Sequence, residues 1–435
     1  MLTMMKRLSL FCLLLLVLSG VRAGEVVDPV RLRLETLGGI TEIRPLKAGE
    51  FAAKYELMVE QPLDWKKPAA GTFGQRVVLM HVGYDRPTVV VTQGYGAGMA
   101  LPEGYRDELS KLLDANIVFV EHRYFDRSMP EPCDWRYLTA ENSAHDLHRI
   151  VELFRNLYAG KWIATGISKG GTTTMLYAAF FPGDVDAYVP YVGPLCTARE
   201  DDRFAPFMAQ IGTPEARAAV EAYQVELMRR RERLLPAFGE YCRSHGYSFR
   251  LPLAEIFDYC VLEYAVSFWQ WGKDPATVPA ADADDERMLS HLLATSGPGY
   301  FDRNSSIASF FVQAARELGF YPYDLEPFRD VTVLRTTDDY LRRIFLPEEL
   351  RDVRFSKRLC RKVSRYLRRN DPRMIFVYGG DDPWTAPGAA WSVVPGKRNM
   401  RVFVEPGGDH RTRIATLPEP MRREAEELLR GWIEN

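Results

Sequence analysis

A chain of 435 residues exceeds the roughly 250–300 residues at which a single hydrophobic core stops growing, so two structural units are expected. With 46% hydrophobic and 26% charged residues it has the composition of a globular protein, which excludes a disordered or fibrous chain. A formal net charge of -2, with both signs spread along the sequence, gives no electrostatic reason to expect nucleic acid or an anionic membrane as partner.

The N-terminus reads as an export signal. Lys6-Arg7 precede an apolar run over 8–18, and Val21-Arg22-Ala23 presents small residues where a signal peptidase reads, so cleavage is expected after Ala23. The run is shorter than the roughly 20 apolar residues a spanning helix needs. The protein is therefore expected to be secreted or periplasmic, with no stable membrane insertion once the signal is removed. Export makes disulfides possible among Cys133, Cys196, Cys242, Cys260 and Cys360, an odd set without CxxC spacing that leaves at least one thiol unpaired within the chain.

Beyond the signal, short β-branched and aromatic runs alternate with helical patterns, which predicts an α/β fold. Strands are expected over 55–61, 76–82, 88–92, 117–121, 162–166 and 187–192, the last four nearly all apolar, as strands buried on both faces should be. Helices are expected over 143–157 and 169–181. After Pro194 the pattern changes to amphipathic, aromatic-rich helices over 215–235, 253–271 and 306–318, with a Pro- and Asp-rich joint over 278–285. Strands return at 374–378 and 400–404, and a closing helix is expected over 418–432. The domain plan is an α/β-hydrolase core with a mostly parallel sheet in two parts, 24–194 and 371–435, interrupted by a helical cap over 195–370.

The chemistry is carried by three loops. Gly166-Ile167-Ser168-Lys169-Gly170 lies between an expected strand and an expected helix, the context of a nucleophile elbow, in which a sharp turn presents the serine above the strand ends. This fold supplies its remaining triad members in the order acid, then histidine. Tyr378-Gly379-Gly380-Asp381-Asp382-Pro383-Trp384 ends one late strand with a carboxylate, and Pro406-Gly407-Gly408-Asp409-His410 ends the next with an imidazole. A serine hydroxyl is protonated near neutral pH and needs an adjacent base, and the imidazole in turn needs a carboxylate to fix its tautomer.

Ser168 is thus the expected nucleophile, His410 the base and Asp382 the orienting acid, with Asp381 expected to point the other way. Only His410 of the seven histidines follows the last strands. The oxyanion donors are expected to be the backbone N–H groups of Lys169 and, within Gln93-Gly94-Tyr95-Gly96, of Tyr95. His145 and His148 stand three apart on a helix without a third ligand at a zinc-like spacing, so no metal and no cofactor is expected.

These motifs resemble the secreted tripeptidyl-aminopeptidase family of serine peptidases, relatives of the prolyl carboxypeptidases. The resemblance rests on Glu121-His122-Arg123-Tyr124-Phe125 with Ser128 and Pro130, Asp134-Trp135-Arg136-Tyr137-Leu138-Thr139, and Gly160-Lys161-Trp162 leading into the elbow and Gly171. Asp184-Val185-Asp186, Val189-Pro190-Tyr191-Val192, Asp382-Pro383-Trp384 and Pro406-Gly407-Gly408 ahead of His410 extend it over most of the mature chain. It implies a peptidase that removes short peptides, tripeptides first, from free N-termini beneath a helical cap. The family pattern tends to a glutamate, a glutamine and an asparagine where this chain has Gln93, Thr172 and Cys196, differences that bear on the subsites.

Glu121 and Arg123 are expected to pair with each other at a strand end. Gln313 and Glu317, one helical turn apart in the cap, are the expected substrate-binding residues, Glu317 as the anion that holds the substrate's α-ammonium. Peptides are then the partner. The competing readings are a capped esterase or lipase using the same triad, and a non-catalytic binding protein, which would not need all three triad members.

Overall fold

The computed structural model describes residues 28–433; the export signal expected over 1–23 lies outside them. A nine-stranded sheet orders them: β1 (Ile40–Pro45), β2 (Ala53–Pro62), β3 (Thr72–His81), β4 (Thr88–Thr92), β5 (Asn116–Val120), β6 (Trp162–Ile167), β7 (Ala187–Tyr191), β8 (Met374–Gly379) and β9 (Met400–Glu405), in the order β1-β2-β3-β5-β4-β6-β7-β8-β9. The first three strands and β5 pair antiparallel, and from β5 through β4 to β9 every pairing is parallel.

Strand periodicity separates two cores. Val77 and Leu79 face one side of the sheet and Val78 and Met80 the other. Helices α1 (Pro29–Glu35), α3 (Ala140–Arg155) and α4 (Lys169–Phe180) cover the first side; α2 (Glu108–Leu113) and α12 (Glu419–Ile433) cover the second. With both faces covered, β4, β5 and β7 are buried at every position, which is why they carry no charged residue.

Between β7 and β8 the chain builds a separate aromatic core from α5 (Phe204–Met208), α6 (Pro214–Arg229), α7 (Arg231–Ser244), α8 (Leu253–Gln270), α9 (Asp285–Ser296) and α10 (Ala308–Gln313). This helical unit meets the sheet unit through Tyr124, Phe125, Cys196 and Trp384. The stretch read as a cap is not uniform: its last helix, α11 (Arg358–Arg369), sends Leu359, Cys360, Val363 and Leu367 into the sheet-side core. Its apolar stripe is filled by the sheet layer, so the helical unit proper ends before it.

Other departures have local causes. The helix expected over 215–235 is two, broken at Arg230, whose side chain turns to the Ala283 carbonyl, Glu226 and Asp285. The joint expected over 278–285 is present up to Asp284, and what the sequence did not show is the helix after it, α9, started by the Asp284 carboxylate accepting from Arg287 N–H. Strand β1 is a half-exposed edge strand with no clean apolar alternation. The five cysteines among the described residues are free thiols, four of them buried. Among the described residues no helix is long and apolar enough to cross a membrane.

Candidate active site

The parallel strands end at one edge, and the loops after four of them, β4, β6, β8 and β9, converge there. After β6 the chain turns at Ser168 with φ +59° and ψ -123°, a conformation costly for a residue with a side chain, before entering α4. The turn closes only because Gly166 lacks a Cβ, which would lie 2.4 Å from the Gly170 carbonyl. Gly94 is needed for the same reason: its backbone rests on the first turn of α4, and a Cβ would stand 2.7 Å from Gly170 N. The loop after β4 is thereby pressed against the serine turn.

After β8, Asp382 is fully buried. Its Oδ1 accepts from Trp384 N–H at 3.1 Å and its Oδ2 lies 2.7 Å from Nδ1 of His410, which follows β9. Asp381 points away to the surface, where its carboxylate meets Gly212 N–H at 3.5 Å. His410 is buried between Trp271 and Trp384, its backbone N–H is held by the Gln270 carbonyl, and its Nε2 has no partner among the described residues.

Ser168 opens into a cavity of about 330 Å³ between the sheet edge and the helical unit, whose walls include Trp271, Trp384, Phe310, Phe320 and Thr172. The backbone N–H groups of Lys169 and Tyr95 donate to no protein acceptor among the described residues. Sequence reasoning placed only the Tyr95 backbone here, yet its side chain also lines the cavity with Ser168, and burial raises its pKa above the usual range. Phe125 and Phe310 hold the ring edge-on.

The cavity also contains a buried carboxylate that sequence reasoning missed. Glu263, on α8, accepts from the hydroxyls of Tyr321 at 2.7 Å, Tyr323 at 2.6 Å and Ser267 at 2.7 Å, and burial raises its pKa against these three donors. A signal was present. A lone Glu in a helix whose residues from Ile256 to Trp269 are almost all buried is rarely solvated, and such a charge needs partners or a task.

Glu317 and Gln313 do not line this cavity. Their pairing assumed 3.6 residues per turn, but after Gln313 the helix opens into a π turn over Ala314–Leu318. Glu317 is carried to the start of α3, where it accepts from Ala140 N–H at 2.7 Å, an anion at a helix N-terminus; burial raises its pKa to about 6. Gln313 is buried in the helical core.

Glu121 and Arg123 both follow the end of β5 and are fully buried, but they do not pair with each other. Glu121 binds Arg76 of β3, Ser128 and Ala97 N–H, while Arg123 forms a two-pronged pair with Asp146 of α3. Of the two helix histidines, His145 stacks on Trp65 and His148 contacts Asp184 at 2.6 Å; no metal-binding group was found among the described residues.

A sheet of this order, a serine at a strained strand-to-helix turn, and a carboxylate and imidazole at the ends of the last two strands define the α/β-hydrolase class. The chain belongs to the S37 peptidase family: the family model described as PS-10 peptidase S37 matches residues 26–433. It is 31% identical over 379 residues to a prolyl tri/tetrapeptidyl aminopeptidase of Streptomyces mobaraensis, covering 86% of this chain and 78% of the relative. Among solved structures, a proline iminopeptidase of Mycobacterium smegmatis is similar with TM-score 0.40 at 13% identity over 87% of this chain and 99% of that one. A peroxisomal α/β-hydrolase of Saccharomyces cerevisiae has TM-score 0.42 at 11% identity over 86% and 89%. The protein is a serine peptidase of the α/β-hydrolase fold.

Proposed function

We propose that this peptidase is an aminopeptidase that releases short peptides, tripeptides first, from free N-termini through an acyl-enzyme on Ser168. In this reading His410 Nε2 takes the serine proton as Oγ attacks the scissile carbonyl, and Asp382 holds the Nδ1–H tautomer and stabilises the imidazolium. The oxyanion is received by Lys169 N–H and Tyr95 N–H. The proton on His410 then passes to the leaving amine, and water repeats the sequence on the acyl-enzyme.

The observation that carries the aminopeptidase reading is Glu263 in the wall of the cavity that holds Ser168. Its three hydroxyl donors leave about one of a carboxylate's four lone-pair positions for an incoming N–H. A substrate α-ammonium buried there would be costly without such a partner. The Streptomyces relative, named a prolyl tri/tetrapeptidyl aminopeptidase, supports the release of short peptides.

Acetylating the substrate's N-terminus is expected to remove most of kcat/KM. Glu263→Gln is expected to weaken free-amine tripeptidyl substrates about 10–100-fold, the value of one hydrogen bond between charged groups, and acetylated ones about threefold at most. Equal cleavage of free and acetylated peptides would return the protein to the endopeptidase or esterase readings.

A pH dependence follows from the same pair. Because burial raises the Glu263 pKa, its carboxylate is lost on acidification earlier than an ordinary glutamate, and KM for free-amine substrates should rise there. KM should rise again above about pH 8, where the α-ammonium deprotonates. Acetylated substrates should show neither limb; finding both limbs with them would remove Glu263 from the role.

A further inference from the structure

Lys169 places an amine where the proposed acyl transfer gives its side chain no step. It follows Ser168 directly, is 3% exposed, and makes no ion pair with any carboxylate among the described residues. Its Nζ lies 5.7 Å from the ring centre of Tyr95 and 5.4 Å from that of Phe125, and donates at 2.7 Å to the Gly94 carbonyl. Burial pulls its pKa down, with the more distant Glu317 acting the other way, and the neighbouring His122, also buried, is held neutral. An amine kept so dry is costly and calls for a return.

The Gly94 carbonyl and the Tyr95 N–H belong to one peptide plane. In a trans peptide the two bonds point in opposite directions, so gripping the oxygen on one side fixes the direction of the N–H on the other. A donor on the carbonyl also polarises the amide and makes its N–H a better donor. We propose that the Lys169 side chain is a positioning residue for the oxyanion hole: its Nζ clamps the Gly94–Tyr95 peptide so that Tyr95 N–H points at the developing oxyanion, while Lys169's own backbone N–H supplies the second donor. One residue thus contributes both halves of the hole, one directly and one through a neighbouring loop. Gly94, which must be glycine to approach α4 so closely, has more backbone torsions open to it than any other residue, and the clamp selects one of them together with the bonds from Gly94 N–H to Gln93 Oε1 and from His122 N–H to the Tyr95 carbonyl.

This rests on the acyl-transfer reading above, and the test separates the two. The probes are a tripeptide aldehyde, whose carbonyl carbon takes the Ser168 oxygen while its own oxygen enters the hole, and the matching tripeptide alcohol, which forms no adduct. Lys169→Met, which keeps the length and removes the donor, is expected to lower kcat/KM about 30–100-fold, approaching the loss of one oxyanion donor. Aldehyde affinity should fall by the same factor and alcohol affinity by less than threefold, with wild-type aldehyde still binding at Ser168.

Lys169→Gln, a shorter neutral donor, should show the same selective loss on a smaller scale, and it decides the matter if Lys169→Met does not fold. Aldehyde and alcohol weakened alike in the folded variant would make Lys169 a structural residue only, and an unchanged kcat/KM would remove the clamp; in either case aldehyde captured by wild-type Ser168 leaves the acyl-transfer reading standing. No aldehyde adduct at Ser168 in the wild-type protein would overturn both.

Discussion

On the proposed mechanism, Ser168→Ala is expected to lower kcat about 10⁶-fold, because removing a triad nucleophile costs about as much as removing the whole triad. The geometry makes this a clean substitution. Alanine meets the same positive φ as serine and adds no atom, so the strained turn after β6 is neither relieved nor crowded. The proposed oxyanion donors and the cavity persist, and a residual acceleration of about 10³–10⁴ over water is expected from them alone. Labelling by a fluorophosphonate should vanish while the thermal midpoint stays within a degree or two. A variant that is still labelled at another residue would displace Ser168 from the mechanism.

What made the sheet legible was burial. Strands covered on both faces are written as mostly apolar runs, and β4, β6, β7 and β8 fall within a residue of the spans read from them; the other edge strand, β9, was read as closely from Val402-Phe403-Val404 although it is half exposed. The edge strand β1, half exposed and paired on one side only, has no such run and went unread. Helices were harder where tertiary partners decide their ends. Arg230 breaks a stretch whose periodicity continues across it, because its guanidinium finds four partners: Glu226 on α6, the Ala281 and Ala283 carbonyls ahead of α9, and Asp285 at its start. The strongly amphipathic α11 was assigned to the wrong unit, since an apolar stripe says that a helix packs and not on what.

The same distinction governs the site. Ser168, Asp382 and His410 could be named because their positions follow from chain order at the ends of strands, and the structure sets the latter two 2.7 Å apart. Glu317 failed because its selection depended on helical phase, and the π turn at Ala314–Leu318 changes that phase. Glu263 and the Tyr95 phenol depend on which side chains from distant parts of the chain face one cavity. Tyr321 and Tyr323, which mark Glu263, stand some sixty residues away from it in sequence.

Asp382→Asn is expected to cost about 10⁴-fold in kcat, as loss of the orienting acid does in other triads, and Asp381→Asn less than threefold. The reason lies in how Asp382 is held. Its Oδ1 is already committed to Trp384 N–H, so in the asparagine variant the amide oxygen takes that bond and the NH₂ group faces His410. Nδ1 must then accept instead of donate. The ring is driven to the tautomer with its proton on Nε2, the nitrogen that has to receive the serine proton, and the base is disabled although every heavy atom keeps its place. The Asp381 carboxylate, partly exposed and 3.5 Å from Gly212 N–H, has no such leverage. Measuring kcat for both variants at saturating substrate, with melting curves to exclude unfolding, decides between the neighbours; a greater loss in Asp381→Asn would transfer the role to it.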